Sequence, residues 1–252
     1  MLFRNLTANP VSNLLPAVTN TENDSRVSSR YKHVQTSDVV DALSVHGFQV
    51  TGQRQKSDTG KHGVILVNRE FGFIDRTGSE NFATITLFNS HDARGAVQLI
   101  AGFYRLICSN GMVSGELTDT LRVRHSQNGI DQLSAIVAMA PARLRVYAET
   151  ILAMQNKELT DKERVTLAQN IFTRIQETRA IGNVPDLLFP RRPEDVTNDL
   201  YTVANTIQEN IIKGGMQSAN SNRRLRPVTG LQSQTELTQL VMNEATALLR
   251  AA

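Results

Sequence analysis

Residues 87–116, LFNSHDARGAVQLIAGFYRLICSNGMVSGE, contain a cysteine, a histidine and an aspartate, residue types that can perform chemistry. Cys108 and His91 could form a thiol–imidazole pair of the kind used in nucleophilic catalysis. However, Cys108 lies in an apolar segment, and free cysteine is among the most frequently buried residue types. His91 belongs to the tetrapeptide Asn-Ser-His-Asp, whose side chains commonly bond their own backbone in turns and helix caps. A structural role is therefore favoured over catalysis.

Metal binding and phosphate transfer find little support in the sequence. Five histidines are scattered along the chain, and none lies three or four residues from another, so the familiar zinc spacings are absent. A metal-dependent nuclease using His91, Asp92 and distant acids stays open as an alternative, ranked behind the two functions that are introduced below. The chain has no GxxxxGK[ST], no GxGxxG and no GxSxG motif. We therefore expect no enzymatic activity, no cofactor and no metal.

Clusters of basic side chains are the main positive signal. The stretch from Asn210 to Thr235 contains four cations and no acid, and a second cluster, with only Asp58 opposing it, falls between two predicted strands. The helix dipole explains Lys213, but it does not explain the three arginines further on. Each cluster alone is typical of solvated surface, whereas together they indicate a track for a polyanion. The predicted DNA-contacting residues are Arg54, Lys56, Lys61, Arg105, Arg122, Arg124, Lys213, Arg223, Arg224 and Arg226.

Three aromatic residues could stack bases beside that track. Single-strand binders use aromatic rings as stacking platforms, and Phe71, Phe73 and Tyr104 could serve in this way. For each ring taken alone, a place in the packed core is the favoured interpretation.

Composition limits the class of protein. The chain has 252 residues, 40% of them hydrophobic, and a net charge of +3, which fits a globular core with a mildly basic surface. One cysteine excludes an internal disulfide framework. No apolar run approaches the roughly 20 residues of a membrane span, and the N-terminus lacks the pattern of a secretory signal. We expect a cytoplasmic protein without a membrane partner.

The periodicity predicts an α+β fold, in which a small antiparallel sheet packed with helices is followed by a helical C-terminal half. Residues 1–30, rich in Asn, Ser and Thr, are predicted to be a flexible arm. Residues 31–129 form the sheet core, with the segment 52–61 as a basic connection. Asn110-Gly111 is predicted as the tip of a hairpin. Residues 130–252 form the helical half, packed on the core.

Capping residues predict where helices of the second half begin and end. Thr160 to Glu163 reads as a capping box. The helix over 198–213 ends at Gly214-Gly215. The last helix is predicted to begin with a cap at 233–236, Ser-Gln-Thr-Glu.

Four segments resemble a known family. The segments are NSHD (89–92), GFYRLICSNGM (102–112), NDLYTVANTIQENIIKGG (198–215) and NRRLRPVTGL (222–231). They look like the phage/plasmid-like proteins of the domain of unknown function 932, and the resemblance spans roughly residues 28–250. Such proteins are carried on plasmids and prophages. The coarse layout is also similar to the core of phage and eukaryotic single-strand annealing proteins.

The resemblance implies a function as well as a fold. Annealing proteins form rings or filaments and hold single-stranded DNA in a positive groove, without a nucleotide cofactor. The sequence therefore favours a non-enzymatic protein of a mobile element that binds and anneals single-stranded DNA as a homo-oligomer. The alternative is a phage or plasmid protein-interaction factor acting on a host defence or DNA-maintenance system, with an exposed apolar patch and no salt-sensitive DNA affinity.

Overall fold

A six-stranded antiparallel sheet organises the first half of the molecule. The computed structural model describes residues 13–58, 60–105, 110–113, 122–177, 181–218 and 221–251. The strands run in the order β1-β2-β3-β4-β5, and β6 pairs with β4 beside β5. Their bounds are β1 Gln49–Gln55, β2 His62–Ile74, β3 Glu80–Asn89, β4 Val97–Arg105, β5 Asn110–Val113 and β6 Arg122–Val123.

Alternation along β3 explains why the sheet has two unlike faces. Ala83, Ile85 and Leu87 are fully buried on what we call the inner face. Phe82 and Phe88 are half-buried on the opposite, outer face, because successive side chains of a strand point to opposite sides. The inner face therefore carries the main core, and the outer face is left only partly covered.

Helices cover the inner face and form the second half, and the first turns of the last helix also reach the outer face. They are α1 Pro16–Thr19, α2 Thr36–Ser44, α3 Gln127–Asn156, α4 Asp161–Gln176, α5 Val184–Leu188, α6 Leu200–Lys213 and α7 Leu231–Arg250, with a 3₁₀ turn at Pro193–Val196. The capping box that begins α4 is confirmed, since the Thr160 hydroxyl accepts from the Glu163 amide and the Glu163 carboxylate accepts from the Thr160 amide. None of the described helices combines the length and hydrophobicity needed to cross a membrane.

One continuous core joins the sheet to the helical half. It contains Leu87 and Phe103 from the sheet, Tyr147 from α3 and Tyr201 from α6. The predicted α+β class, with an antiparallel sheet followed by a helical half, is confirmed. Burial of apolar surface at roughly 25 cal/mol per Å² is the force that holds such halves together.

The aromatic residues proposed for base stacking belong to the packed interior. Phe71 and Phe73 meet Phe103 edge-on, at centroid distances of 5.7 and 5.1 Å. Tyr104 is only 2% exposed. Tyr104 is therefore closed to a stacking base, whereas Phe71 and Phe73 are half-buried and pack part of their surface against Phe103.

The described part of the predicted arm, residues 13–30, is packed against the sheet. Ala17 and Val18 are fully buried. The Leu15 amide donates to the Gln53 side chain at 2.9 Å, and the Ala17 amide donates to Gln55 at 3.0 Å. The short apolar run at residues 14–18 supplies this contact, and it is hidden in the sequence by the polar residues on either side.

Three predicted local features are wrong. Arg105 pairs with Asn110, so Asn110-Gly111 begins β5 and is not the hairpin tip. The residues in between, 106–109, which include Cys108, lie outside the described residues. Strand β1 extends through Gln55, so Arg54 lies in a strand and not in a connection. Helix α7 begins at Leu231, two residues before the predicted cap at 233–236.

Candidate nucleic-acid interface

A row of directly paired residues crosses the outer face of the sheet. Arg54 of β1 pairs with Gly63, Gly63 with Phe88, Phe88 with Gln98, and Gln98 with Arg122 of β6. Residues paired in this way share one face of a sheet. The two arginines therefore stand at opposite ends of the row, four strand spacings or roughly 19 Å apart.

Helix α7 lies over this row and closes it into a cleft. The cleft holds about 560 Å³, within the range of ordinary ligand sites, and all five residues of the row line it. The helix contributes Leu231, Thr235 and Gln239, which recur every four residues and so share one helix face. We call this space the basic cleft.

The basic cleft carries a strong excess of positive charge. Its lining contains Arg54, Lys56, Lys61, Arg94 and Arg122, against a single carboxylate, Glu236. The Glu236 carboxylate accepts a hydrogen bond from the Gln232 amide at 2.9 Å. Four separate segments supply the cations, which converge only because the strands pair as they do. Low-dielectric walls around like charges concentrate an anion-attracting field.

The start of α7 adds to that field. Gly230 is the N-cap, and no side chain caps the helix. Uncapped N–H groups and the helix dipole place partial positive charge where Gly230 and Leu231 line the cleft. The helix can approach this closely because residue 63 is glycine. A Cβ there would lie 2.7 Å from Leu231 Cδ2 and 3.0 Å from the Phe88 ring.

The structure brings together four of the ten predicted DNA-contacting residues: Arg54, Lys56, Lys61 and Arg122. Arg124 is exposed just beyond β6, outside the cleft lining. Arg223, Arg224 and Arg226 are exposed on the loop between α6 and α7, and they do not line the cleft either. Arg226 instead borders a smaller cavity with Ile175 and Ile211.

Arg105 was wrongly assigned to the groove. Its side chain is 1% exposed, and it donates from Nε to Asp75 Oδ2 at 2.6 Å and from Nη2 to Asp195 Oδ1 at 2.8 Å. Burial alone would raise the pKa of Asp75, but the Thr77 hydroxyl, Arg105 and Asn81 together lower it. A guanidinium held between two buried carboxylates cannot contact DNA.

Lys213 is a second cation with a partner. Its ammonium group forms an ion pair with Glu209, one turn earlier on α6, and Glu209 also binds Arg192. Asp195 joins the same network through Arg192. Three cations and three carboxylates therefore neutralise one another between the sheet and the helical half. We call this set, Arg105, Arg192 and Lys213 with Asp75, Asp195 and Glu209, the paired network.

A stack of histidine rings lies behind one end of the cleft. His91 is fully buried between His33 and His62, at centroid distances of 4.5 and 4.9 Å, and its Nε2 donates to the Ala17 carbonyl at 2.9 Å. Burial lowers the pKa of His91 to about 4 and also lowers the pKa of His62. Both rings are therefore neutral near pH 7, so His62, which lines the cleft, adds no charge to it.

The turn at residues 89–92 is tied into the fold rather than arranged for chemistry. The Asn89 amide donates to Val34 O and Thr36 Oγ1, both at 2.9 Å, and the Ser90 hydroxyl donates to Asp92. Within the described ranges, no group of three His, Cys, Asp or Glu side chains is placed to hold a metal ion. The structural interpretation therefore accounts for these side chains.

Two cleft residues were missed from the sequence. Arg94 follows the turn at 89–92. Because that turn was predicted to be structural, the neighbouring arginine was not included among the DNA-contacting residues. Phe88 is the outer-face residue of an alternating strand, and alternation does not tell which outer residues remain accessible. The available signal was the pairing of Phe88 with its cross-strand neighbours, which cannot be read before the register is known.

Comparison with known proteins places the chain in a family. It belongs to the family defined by the domain of unknown function DUF932, whose model matches residues 24–242. It is 31% identical to UPF0380 protein YafZ of Escherichia coli (strain K12) over 260 residues, which cover 98% of this chain and 92% of that protein. It is 30% identical to UPF0380 protein YfjQ of the same organism over 261 residues, with the same coverage. No solved structure matches the chain.

Proposed function

We propose that the protein binds and anneals single-stranded DNA without catalysing a reaction, that it acts as a homo-oligomer, and that the basic cleft contacts the DNA backbone. One observation carries the proposal: five cations from four separate segments converge on a single cleft whose lining contains one carboxylate. Phosphates compete well for these cations because that carboxylate, Glu236, already accepts a hydrogen bond from the Gln232 amide.

The proposed mechanism is electrostatic capture followed by display of the bases. Lys and Arg neutralise phosphates and release counterions, so the affinity must fall steeply with salt. Annealing needs the backbone to be held while the base edges stay free to pair. The resemblance to phage and plasmid proteins and to annealing proteins supports a role in recombination on a mobile element. A ring or filament of subunits would join several clefts into a longer track.

The test is the salt dependence of DNA affinity in matched variants. We expect fluorescence anisotropy with a mixed-sequence single strand to give a log–log salt slope that the triple variant K56A/K61A/R122A flattens by about two, at roughly 0.7 per lost contact. R145A/K162A, which removes two exposed cations from α3 and α4, is the control and should keep the parent slope. Annealing of complementary strands without ATP or metal is measured alongside, with light scattering for subunit number.

The loop arginines provide a second comparison. If R223A/R224A/R226A also flattens the slope, the track extends from the cleft onto the loop between α6 and α7. If that variant behaves like the control, the contact is confined to the cleft. Affinity that ignores salt, or that survives the cleft variant unchanged, contradicts the proposal.

A protein-interaction role has one observation in its favour. Met139, Val146 and Leu152 of α3 are 45%, 60% and 58% exposed, which is high for apolar side chains. If this role is the principal one, V146E/L152E abolishes capture of the partner or of a second subunit while K56A/K61A/R122A leaves it intact. A DNA affinity that V146E/L152E leaves unchanged and that K56A/K61A/R122A weakens supports the DNA-binding proposal.

A further inference from the structure

Two groups in the basic cleft are not explained by phosphate binding. A backbone needs cations, but the centre of the row that crosses the sheet is an aromatic ring, Phe88. This ring is half-buried and lines the cleft, with glycine on one side of it in the row and glutamine on the other. Over Gly63 the space beside the ring is taken by the Leu231 side chain, whose Cδ2 would lie 2.7 Å from a Cβ at residue 63.

The second group is an amide on the opposite wall. Gln239 lies two turns into α7 from Leu231, and its Nε2 is buried with no hydrogen-bond partner among the described residues. Two other amides of the lining are bonded: Asn89 donates to Val34 and Thr36, and Gln232 donates to Glu236. A buried donor without an acceptor destabilises the free protein, and a ligand that accepts a hydrogen bond from it removes that cost.

A nucleobase satisfies both groups at once. Its flat face stacks on an aromatic ring, and its edge presents carbonyl oxygens and ring nitrogens that accept hydrogen bonds. The flanking arginines, Arg54 and Arg122, stand on either side of Phe88 in the same row, where the neighbouring phosphates of a strand crossing the sheet would pass. A duplex cannot use this arrangement, because each of its bases is covered by its neighbours.

We propose that Phe88 is a stacking platform for one unpaired base and that the Gln239 side chain, whose Nε2 is shielded from solvent in the free protein, turns to donate a hydrogen bond to the edge of that base, so that the cleft selects single strands over duplexes. This inference rests on the proposed function and deepens it. The cations supply affinity for any polyanion, whereas Phe88 and Gln239 make the site specific for a nucleic acid with accessible bases.

The experiment compares three probes of equal length: a mixed-sequence single strand, its duplex, and the abasic oligomer with the same phosphates. Loss of one stacked base weakens binding roughly tenfold or more. We therefore expect the single strand to bind at least about tenfold more tightly than the abasic oligomer. Phe88→Leu should remove that difference while the salt slope stays unchanged, since no phosphate contact is lost.

Two further variants keep the test independent of folding defects. The chain has no tryptophan, so Phe88→Trp introduces a single fluorophore at the platform. Its emission should be quenched by the single strand and not by the abasic oligomer. Gln239→Leu keeps the side-chain volume and removes the orphan donor, so it should weaken single-strand binding roughly fivefold, leave abasic binding unchanged, and leave the protein at least as resistant to urea.

The outcomes separate the inference from the proposed function. Equal affinity for the single strand and the abasic oligomer, with slopes that still depend on Lys56, Lys61 and Arg122, overturns the base-stacking inference and leaves the electrostatic proposal standing. An unquenched tryptophan at position 88 in a protein that binds the strand has the same consequence. Absence of binding to all three probes overturns both.

Discussion

The basic cleft and the paired network contain similar cations in opposite surroundings. In the network, three cations meet Asp75, Asp195 and Glu209, which are all nearly excluded from solvent. In the cleft lining, five cations share one carboxylate, Glu236, which already accepts a hydrogen bond from an amide, and Arg94 also lies beside Asp92, just outside the lining. The difference teaches that the function of a basic residue is decided by where the chain places its acids. Cations beside buried acids hold the fold together, and cations without them are left for an anion from outside.

Removing the central arginine of the network should have the largest effect. Arg105→Ala leaves Asp75 and Asp195 buried without their guanidinium, and breaking a buried pair in this way costs roughly 3–5 kcal/mol. Urea unfolding measures it. The matched variant Arg54→Ala removes an exposed arginine of the cleft and should change the free energy of unfolding by no more than about 0.5 kcal/mol. Equal losses in the two variants would remove the contrast between the two regions.

Acid should destabilise the protein through His91, a buried ring whose charged form is disfavoured in the folded state. The pKa of His91 falls from 6.5 in the unfolded chain to about 4 in the folded protein, because burial disfavours the charged ring. The unfolded chain therefore binds the proton first, and stability present above pH 6.5 is lost as the pH falls toward 4, by up to about 3 kcal/mol. His62, lowered in the same direction, adds to the loss.

The control for the acid effect is His91→Gln, which keeps a donor toward the Ala17 carbonyl but cannot titrate. The difference in free energy of unfolding between parent and variant, followed by urea titration from pH 8 to pH 4.5, should shrink as the pH falls. A constant difference across this range would show that His91 does not contribute to acid sensitivity.

Lys213→Ala should have the smallest effect on the free energy of unfolding, and it tests whether a cation of the paired network contributes to DNA binding. Its side chain is 40% exposed, and Arg192 remains on Glu209 after Lys213→Ala. Pairs at such exposure contribute about 0.5 kcal/mol, and the loss should diminish in high salt. DNA affinity should stay at the parent value, whereas Lys61→Ala, which removes one charge from the cleft, should weaken it. A Lys213 variant that binds DNA as weakly as the Lys61 variant contradicts the division between the regions.

Some local sequence signals predicted the local structure correctly, and others did not. The capping box at Thr160 and Glu163 and the glycines after Lys213 depend on neighbours within a few residues, and both mark helix ends in the structure. The predicted hairpin tip at Asn110-Gly111 and the predicted cap at 233–236 were displaced because strand pairing and helix packing set those positions. The apolar run at residues 14–18 shows the limit, since its packing partners, Gln53 and Gln55, lie 38 residues away.

The candidate site could be predicted only in part, because it depends on pairing across distance. Glu209, the partner of Lys213, lies one residue before the acid-free stretch that begins at Asn210. The two residues are four positions apart on a helix, a spacing that predicts an ion pair, so this partner could have been found from the sequence. The partners of Arg105 lie 30 residues before it and 90 residues after it in the chain, where no local pattern reveals them. The row from Arg54 to Arg122 likewise exists only once five strands are in register.

The ion pair between Arg105 and Asp195 also joins two segments that leave the ribosome at different times. Asp195 is synthesised 90 residues after Arg105, so this buried pair cannot form before the segment that precedes α6 has been made. Until then Arg105 has Asp75 as a possible partner but lacks the second carboxylate that it contacts in the folded protein.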